Sequence, residues 1–287
     1  MKIHALATGA VRVKHSFLFP SSGVRRQLDL FLPGDFSDPL PIHCWAIEHE
    51  GVLRLVDTGE TAAARDVPFA RMQVTAEQEL PGAMAAAGLE LDDVLEVVLT
   101  HAHGDHIDGL VHLRSRVLLN QTELRSVNSP MARVMRRVLR QPLPPRFAPE
   151  TFALDDGPFG AFARSRALSD DGRIVIVDTV GHTPGHVSVI CVDDSGRHVM
   201  LAGDATDTLE QLYARRHDAV GPDPTVHVAT LETILAHCVQ HPTVYLPSHD
   251  PDSAARFAAG TTVNATTPSA EHRSPTPPRR SRPRSVA

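Results

Sequence analysis

The sequence predicts one large α/β domain, and two patterns point to it. Short apolar runs separated by turn residues have the length and composition of β-strands. Segments with apolar residues at helical spacing lie between some of these runs. A chain of 287 residues that is 42% hydrophobic is also long enough to bury a sizeable core.

Eight apolar runs are predicted to be strands, and many of them end in Asp, Gly or His. In chain order they are KIHALATG, HCWAIEH, VLRLVDTG, VLEVVLT, RIVIVDTVG, VSVICVDD, HVMLAGD and TVYLPSHD. In α/β proteins a strand fixes the position of the residue at its end, and the following loop exposes the side chain. The strand ends are therefore candidates for a functional site.

Two segments are predicted to be helices. MARVMRRVLR carries an apolar stripe surrounded by four arginines and is stopped by QPLPP. It is either a surface helix with a solvated basic face or a wall or lid beside a site. DPTVHVATLETILAHCVQ has Asp223 as N-cap and Pro224 at the first helical position. The face expected to pack on the sheet consists of Leu231, Ile234, Leu235 and Cys238.

The folded domain is predicted to span residues 1–259, followed by a disordered tail over residues 260–287. This tail is rich in Pro, Ser, Thr and Arg and has little apolar surface to offset ordering entropy. It holds five of the 28 basic residues and one of the 34 acidic ones. The remaining 23 and 33 give the domain a net charge of -10. Nucleic acid is therefore not expected as a partner of the folded domain.

The cysteines and the absence of long apolar runs favour a cytoplasmic protein. Cys44, Cys191 and Cys238 are far apart and form no CxxC pair, so neither a disulfide framework nor a thiolate metal site is expected. The N-terminus lacks the apolar core of a signal peptide, and no run approaches the roughly 18 apolar residues that span a bilayer. No membrane partner is expected.

The stretch VVLTHAHGDH, residues 97–106, places four ionisable side chains directly behind an apolar run. His101 and His103 lie on the same side of an extended segment, and Asp105 and His106 follow at the turn into the next helix. Imidazole and carboxylate groups suit zinc, and also iron, manganese or cobalt. Such a cluster is difficult to explain as core or surface, and it predicts a metal site.

Other strand ends supply further candidate ligands. GHTPGH contains His182 and His186, HVMLAGD ends in Asp204, and TVYLPSHD contains His249. A single strand-end His or Asp is more often a cap or a hydrogen-bonded turn residue. Together with the first cluster, these residues provide enough ligands for a site with two metal ions.

The motifs HxHxDH, GHTPGH, GD and a late SHD, with an early VDTG, resemble the metallo-β-lactamase superfamily over roughly residues 1–258. The resemblance implies a four-layer αββα sandwich with the metals along one edge of its two sheets. It also implies a ligand assignment: one metal bound by His101, His103 and His186, the other by Asp105, His106 and His249, and Asp204 bridging them. His182 would then be a supporting or loop residue. Asp57 of VDTG would support the ligands from below, or be a simple turn carboxylate.

Within the superfamily, the sequence is most similar to N-acyl-homoserine lactonases, on the stretch from Leu28 to Gly59 and on GPDP followed by a helix and a terminal SHD. Two other branches of the superfamily fit less well, because true β-lactamases often use a cysteine and the flavodiiron proteins carry a glutamate where this chain has His103. One residue departs from the lactonase pattern. These enzymes commonly have a tyrosine three residues past the bridging aspartate, associated with the substrate carbonyl, and this chain has Asp207 there.

The expected function is a dinuclear metal-dependent hydrolase that opens lactone or ester substrates by a metal-bridging hydroxide, with N-acyl-homoserine lactones the first candidates. Two divalent ions, expected to be zinc, are the cofactors, and Asp105 is expected to pass a proton to the leaving alkoxide. The alternatives are hydrolysis of a thioester, as in glyoxalase II-like enzymes, or of a phosphotriester. A non-catalytic metal-binding sensor is the third possibility. The oligomeric state is not predicted.

Overall fold

Two β-sheets pack face to face, with helices on their outer surfaces, in the computed structural model, which describes residues 1–145 and 147–264. The strands are β1 (Lys2–Val13), β2 (Leu40–His49), β3 (Val52–Val56), β4 (Ala70–Gln73), β5 (Val94–Val98), β6 (Arg116–Asn120), β7 (Glu150–Phe152), β8 (Ser165–Ala167), β9 (Ile174–Asp178), β10 (Val187–Val192), β11 (His198–Gly203) and β12 (Thr243–Pro247). The α-helices are α1 (His15–Leu18), α2 (Arg25–Leu28), α3 (Leu80–Ala86), α4 (Gly104–Ile107), α5 (Gln121–Val127), α6 (Pro130–Leu139), α7 (Leu209–Ala214), α8 (Pro224–Gln240) and α9 (Ser253–Ala259).

The strand order brings the carboxyl ends of several strands to one edge. The seven-stranded sheet has the order β4-β1-β2-β3-β5-β6-β7, and the five-stranded sheet has the order β12-β11-β10-β9-β8. In the first sheet, β3, β5, β6 and β7 run parallel to one another. In the second sheet, β11 and β12 are parallel. A backbone hydrogen bond of 3.0 Å from Val187 N to Thr100 O joins the two sheets at this edge.

Successive side chains of a strand point to opposite faces of its sheet, and this separates the inner core from the outer ones. Val98 of β5 and Ile174 and Ile176 of β9 face the core between the sheets. Val97, the neighbour of Val98, instead faces the outer core of the first sheet, where α3 and α5 pack. Since α7 and α8 cover the outer face of the second sheet, the four-layer αββα sandwich implied by the resemblance is confirmed.

All eight predicted strands form, and both predicted helices do. Asp223 caps α8 by accepting a hydrogen bond of 2.8 Å from Thr225 N, and the predicted face of α8 is buried against the second sheet. Helix α6 begins at Pro130, after the cap residue Ser129, and ends where Arg140 adopts a left-handed conformation. Four strands were not predicted: β4, β6, β7 and β8.

The folded body continues past the predicted boundary at Ala259. Val263 is buried against the outer core that contains Tyr245, and its backbone N–H donates to Thr243 O at 2.8 Å. The rest of the predicted tail, residues 265–287, lies outside the described residues. No helix in the described part of the chain has the length and apolarity needed to span a membrane.

Candidate metal centre

Two groups of ionisable side chains meet at the edge where β3, β5, β11 and β12 end. The first group consists of His101, His103, His182 and Asp204. The second consists of Asp105, His106 and His249. Within each group, one ligand atom from every residue lies within 4.8 Å of the others. The structure therefore brings together six of the seven ligands predicted from the sequence, together with His182.

Asp204 lies between the two groups. Its Oδ2 is 3.4 Å from His182 Nε2 in the first group and 3.4 Å from His249 Nε2 in the second. The same oxygen is 3.8 Å from His101 Nε2, and Oδ1 is 3.2 Å from His106 Nε2. Two ligand atoms bound to one tetrahedral zinc ion lie about 3.4 Å apart, given bond lengths of about 2.1 Å. The spacing around Asp204 is close to that value on both sides.

Four of these histidines are held through the ring nitrogen that points away from Asp204. The Nδ1 contacts are His101 to Thr100 Oγ1 at 3.1 Å, His106 to Asp57 Oδ2 at 2.8 Å, His182 to Asp218 Oδ2 at 2.5 Å and His249 to Pro41 O at 2.8 Å. An oxygen partner on one nitrogen orients the ring and leaves the other nitrogen available as a metal ligand. In all four rings, the inward-facing atom is Nε2, and that of His182 lies 2.9 Å from Nδ1 of His103, another member of its group.

Asp57 contacts the second group from below, through His106. It is buried, and besides His106 it accepts hydrogen bonds of 2.8 Å from both the backbone N–H and the hydroxyl of Thr100. Its backbone is left-handed, with φ of 63°. Non-glycine residues adopt this conformation rarely, and they persist there when surrounding contacts hold them. The three hydrogen bonds supply those contacts.

The donor atoms of this centre fit a bound cation. Within the described residues, the buried atoms His101 Nε2, His106 Nε2 and Asp204 Oδ1 have no hydrogen-bond partner. Buried polar atoms are otherwise almost always paired, so these three indicate a missing ligand. Burial lowers the pKa of His101 well below its ordinary value and that of His103 to about 4. Both rings are thereby neutral, as metal ligands must be.

The centre also has an excess of negative charge. Burial lowers the pKa of His106, but the charges of Asp204 and Asp57 more than offset this and raise the pKa well above the ordinary value. The pKa of His249 is likewise lowered by burial, and Asp204 raises it to a net value of about 9. Carboxylates that hold protons on neighbouring imidazoles would equally favour a divalent cation in their place.

His186 is not in either group, which differs from the ligand assignment that the resemblance implied. Its Nδ1 lies 2.9 Å from Thr179 Oγ1, and its Nε2 accepts a hydrogen bond of 3.0 Å from the backbone N–H of Asp204. Neither nitrogen is available. Gly203 permits this contact, since a Cβ at that position would lie 2.9 Å from His186 Nε2. His182, four residues earlier, faces Asp204 instead.

Two buried carboxylates near the centre were missed by the sequence analysis. Asp218 is the partner of His182, and it lies on a loop more than 30 residues later in the chain. Glu123 of α5 accepts from Ala102 N at 3.2 Å and from Gly185 N at 3.0 Å, and so ties the two ligand loops together. No motif marks either residue.

A cavity of about 760 Å³ opens above the centre. Its floor includes His103, Asp105, Asp204 and His249. Its walls are largely apolar and include Val13, Phe17, Val67, Phe69, Met72, Met135, Leu139 and Leu143. Since Met135 and Leu139 belong to α6, the alternative in which this helix is a wall beside the site is the one observed.

Asp207 lines the same cavity and is buried. Burial raises the pKa of Asp207 to about 7, against the opposing charge of His249 and with a further contribution from Asp204. Its backbone N–H donates to Gln211 Oε1 at 2.7 Å, which fixes the start of α7. The position where similar lactonases commonly have a tyrosine therefore carries a short acidic side chain that faces the cavity.

Comparison with known proteins gives consistent matches. A sequence model of the metallo-beta-lactamase superfamily matches residues 37–249. An N-acyl homoserine lactonase from a Bacillus species is 22% identical over 229 residues, which are 76% of this chain and 84% of that protein. An N-acyl homoserine lactone hydrolase, solved with N-hexanoyl-L-homoserine at its catalytic metal center, has a TM-score of 0.67 at 19% identity, over 88% of this chain and 95% of that chain. AidC, a dizinc quorum-quenching lactonase, has a TM-score of 0.61 at 16% identity, over 87% of each chain.

Proposed function

The chain belongs to the metallo-beta-lactamase superfamily of hydrolases, and we propose that it opens lactone rings at a centre of two divalent metal ions. The observation that carries the proposal is the position of Asp204 between two groups of candidate ligands. Together, the groups contain more ligands than one tetrahedral ion uses. Zinc suits this set of imidazoles and carboxylates, and one structural relative is described as dizinc.

We assign the ligands according to the geometry. His101, His103 and His182 would hold the first ion, Asp105, His106 and His249 would hold the second, and Asp204 would contribute to both. His186 orients Asp204 through its backbone N–H and binds no metal. When bound, the ions supply Lewis acidity toward a substrate carbonyl and lower the pKa of water.

The protein's own residues position the substrate and handle its protons. Asp105 lies on the cavity floor with its Oδ2 3.4 Å from His249 Nε2, and its side chain is 13% exposed. It is placed to take up the proton that the attacking water gives up and to pass that proton from Oδ2 to the alkoxide formed when the ring opens. Apolar side chains such as Phe17 and Met135 exclude water from the surroundings of the reacting carbonyl.

The proposed substrates are N-acyl-homoserine lactones. Support comes from the relatives, which are named as lactonases of this class. The apolar walls of the cavity offer contact to an acyl chain, and the floor offers polar groups to a lactone head. A lactone presents its carbonyl in a fixed geometry, so few additional groups are needed to orient it.

A substrate panel tests the proposal. Proton release would be measured for the metal-loaded wild type with lactones of several acyl lengths, a thioester and a phosphotriester, and with Asp204→Asn as the inactive control. We expect lactones to give the highest kcat/KM. If the thioester or the phosphotriester is cleaved at least about a hundredfold faster than every lactone, a difference of about 2.7 kcal/mol, the substrate assignment is wrong.

A further inference from the structure

His182 lies on a loop that has no helix or strand of its own. The loop runs from the end of β9 to the start of β10, and His182 is one of its buried residues. His101, by contrast, directly follows Leu99 and Thr100 at the end of β5. A metal ligand on a loop needs side-chain contacts to fix the direction of its ring.

Asp218 provides the contact to the outward nitrogen of His182. Its Oδ2 is 2.5 Å from His182 Nδ1, and both side chains are buried. Its other oxygen, Oδ1, accepts hydrogen bonds from the backbone N–H groups of Val220 at 2.9 Å and Gly221 at 2.8 Å. Both of these N–H groups require an acceptor, so the carboxylate cannot rotate freely.

The loop that carries Asp218 is itself anchored. The buried Arg26 of α2 donates to the carbonyl oxygens of Ala219 and Gly221. Ala219 N in turn donates to Phe17 O at 3.2 Å. Phe17 lines the cavity. The loop is therefore fixed to the segment that forms part of the cavity wall.

The two loops also pack directly against each other. A Cβ at Gly221 would lie 2.4 Å from the backbone oxygen of Gly181, the residue before His182. This distance leaves no room for a side chain between the loops. Asp218 is thereby kept within reach of His182 by backbone packing as well as by its own hydrogen bonds.

We propose that Asp218 is a positioning residue that sets the ring direction and tautomer of His182, and that Arg26 holds Asp218 in place for this role. The proposal rests on the assignment of His182 as a ligand in the proposed function. As an acceptor, Asp218 keeps the proton of His182 on Nδ1. Nε2, which lies 3.4 Å from Asp204 Oδ2 and 2.9 Å from His103 Nδ1, both in the same group of candidate ligands, then has its lone pair for a metal ion.

Asp218→Asn makes this testable because the amide has one acceptor and one donor. The N–H groups of Val220 and Gly221 hold the amide oxygen, so the NH₂ group faces His182 Nδ1. That nitrogen must then accept, which moves the ring proton to Nε2 and opposes metal binding there. The matched control is Asp223→Asn, the same substitution five residues later at the N-cap of α8, where Asn is equally suitable.

Calorimetric titration of zinc into the metal-free variants provides the measurement. We expect Asp218→Asn to bind one of two ions about tenfold or more weakly, and Asp223→Asn to bind both as the wild type does. The absorption spectrum of the cobalt-loaded protein should change in the first variant only, which a loss of stability alone would not cause. Wild-type affinity and an unchanged cobalt spectrum in Asp218→Asn would overturn the proposal.

Two further outcomes are distinguishable. If the wild type itself binds no metal, the proposed function fails, and not merely the role of Asp218. If Asp218→Asn does not fold, Asp218→Ser replaces it, because a serine hydroxyl is too short to reach His182 but retains an acceptor for the loop. The same tenfold loss for one ion is expected, and wild-type affinity for both ions in that variant would overturn the proposal.

Discussion

Four of the five grouped histidines have Nε2 directed at Asp204 and Nδ1 held by an oxygen of the protein, whereas His103 Nδ1 lies 2.9 Å from His182 Nε2. This division of roles separates His182 from His186. His182 has Asp218 on Nδ1 and directs Nε2 at other members of the two groups, 2.9 Å from His103 Nδ1 and 3.4 Å from Asp204 Oδ2, whereas the Nε2 of His186 accepts from the backbone N–H of Asp204. A histidine whose second nitrogen is held by a backbone N–H supports a ligand, whereas one whose second nitrogen faces other candidate ligands can join them at a metal ion.

His182→Ala and His186→Ala should therefore differ in metal content. We expect His182→Ala to lose about one of two ions and nearly all activity, because it removes a ligand. His186→Ala should keep both ions and lose roughly 1–3 kcal/mol of stability, because it leaves the buried N–H of Asp204 unpaired. Elemental analysis and denaturant unfolding of the two variants provide the comparison. Loss of metal in His186→Ala alone would restore the assignment made from the sequence.

Asp207 is expected to limit the rate of lactone opening. Its carboxylate faces the cavity near Asp204 and opposes negative charge that develops on the substrate oxygen. Asp207→Tyr removes this carboxylate and supplies a phenolic donor. If one hydrogen bond worth about 1.4 kcal/mol is gained in the transition state, kcat/KM for lactones rises about tenfold.

Asp207→Asn is the control for this prediction, because it removes the charge without adding the phenol. We expect its kcat/KM to lie between those of the wild type and Asp207→Tyr. A fully metal-loaded Asp207→Tyr that is no faster than the wild type would show that the position does not influence the reaction.

Among the elements, α6 is the one whose role the sequence left open. Its apolar stripe and its four arginines fit both a surface helix and a wall. The structure shows that only part of the stripe faces the cavity: Met135 and Leu139 line it, whereas Met131, Val134 and Val138 are exposed. Periodicity identifies an apolar face but does not indicate what covers it.

Leu139→Ala and Val138→Ala test the wall. They are neighbours on α6, but only Leu139 lines the cavity, and Val138 is 68% exposed. Loss of about 1 kcal/mol of apolar contact should raise KM for long-chain lactones about fivefold in Leu139→Ala and leave short-chain lactones nearly unchanged. Val138→Ala should behave like the wild type. An equal effect on all chain lengths would show that the acyl chain does not contact α6.

The strands with strong apolar runs were predictable, and the weak ones were not. β9 and β11 carry continuous buried apolar residues, which a local pattern reveals. β7 and β8 have only three residues each, and pairing with a neighbouring strand decides their conformation. The motifs likewise included six of the seven grouped residues, but the choice between His182 and His186 depends on contacts with Asp218 and Asp204, which lie far away in sequence.

At the scale of the whole molecule, two parallel strand series deliver the ligands to one edge. β5 brings His101 to His106, β11 brings Asp204, and β12 brings His249. Because the sheets pack face to face, side chains from both can surround the same point. The sandwich itself thus determines that the centre lies between the sheets and below the cavity.

The end of the folded body can be tested by truncation. Deletion of residues 260–287 removes Val263, whose buried side chain contributes about 1–2 kcal/mol, and should lower the Tm by several degrees. Deletion of residues 265–287 should leave the Tm nearly unchanged, because that segment has few apolar residues to bury. Thermal unfolding of both truncated chains would provide the comparison. An equal loss in both would place stabilising contacts beyond Asn264.

The number of metal ions per chain is the decisive property of the proposed centre. Elemental analysis of the wild type, purified after growth with ample zinc, should give about two divalent ions per chain, because the seven grouped residues exceed the four ligands of one tetrahedral ion. A reproducible value of one ion, or none, would contradict the dinuclear centre and the mechanism built on it.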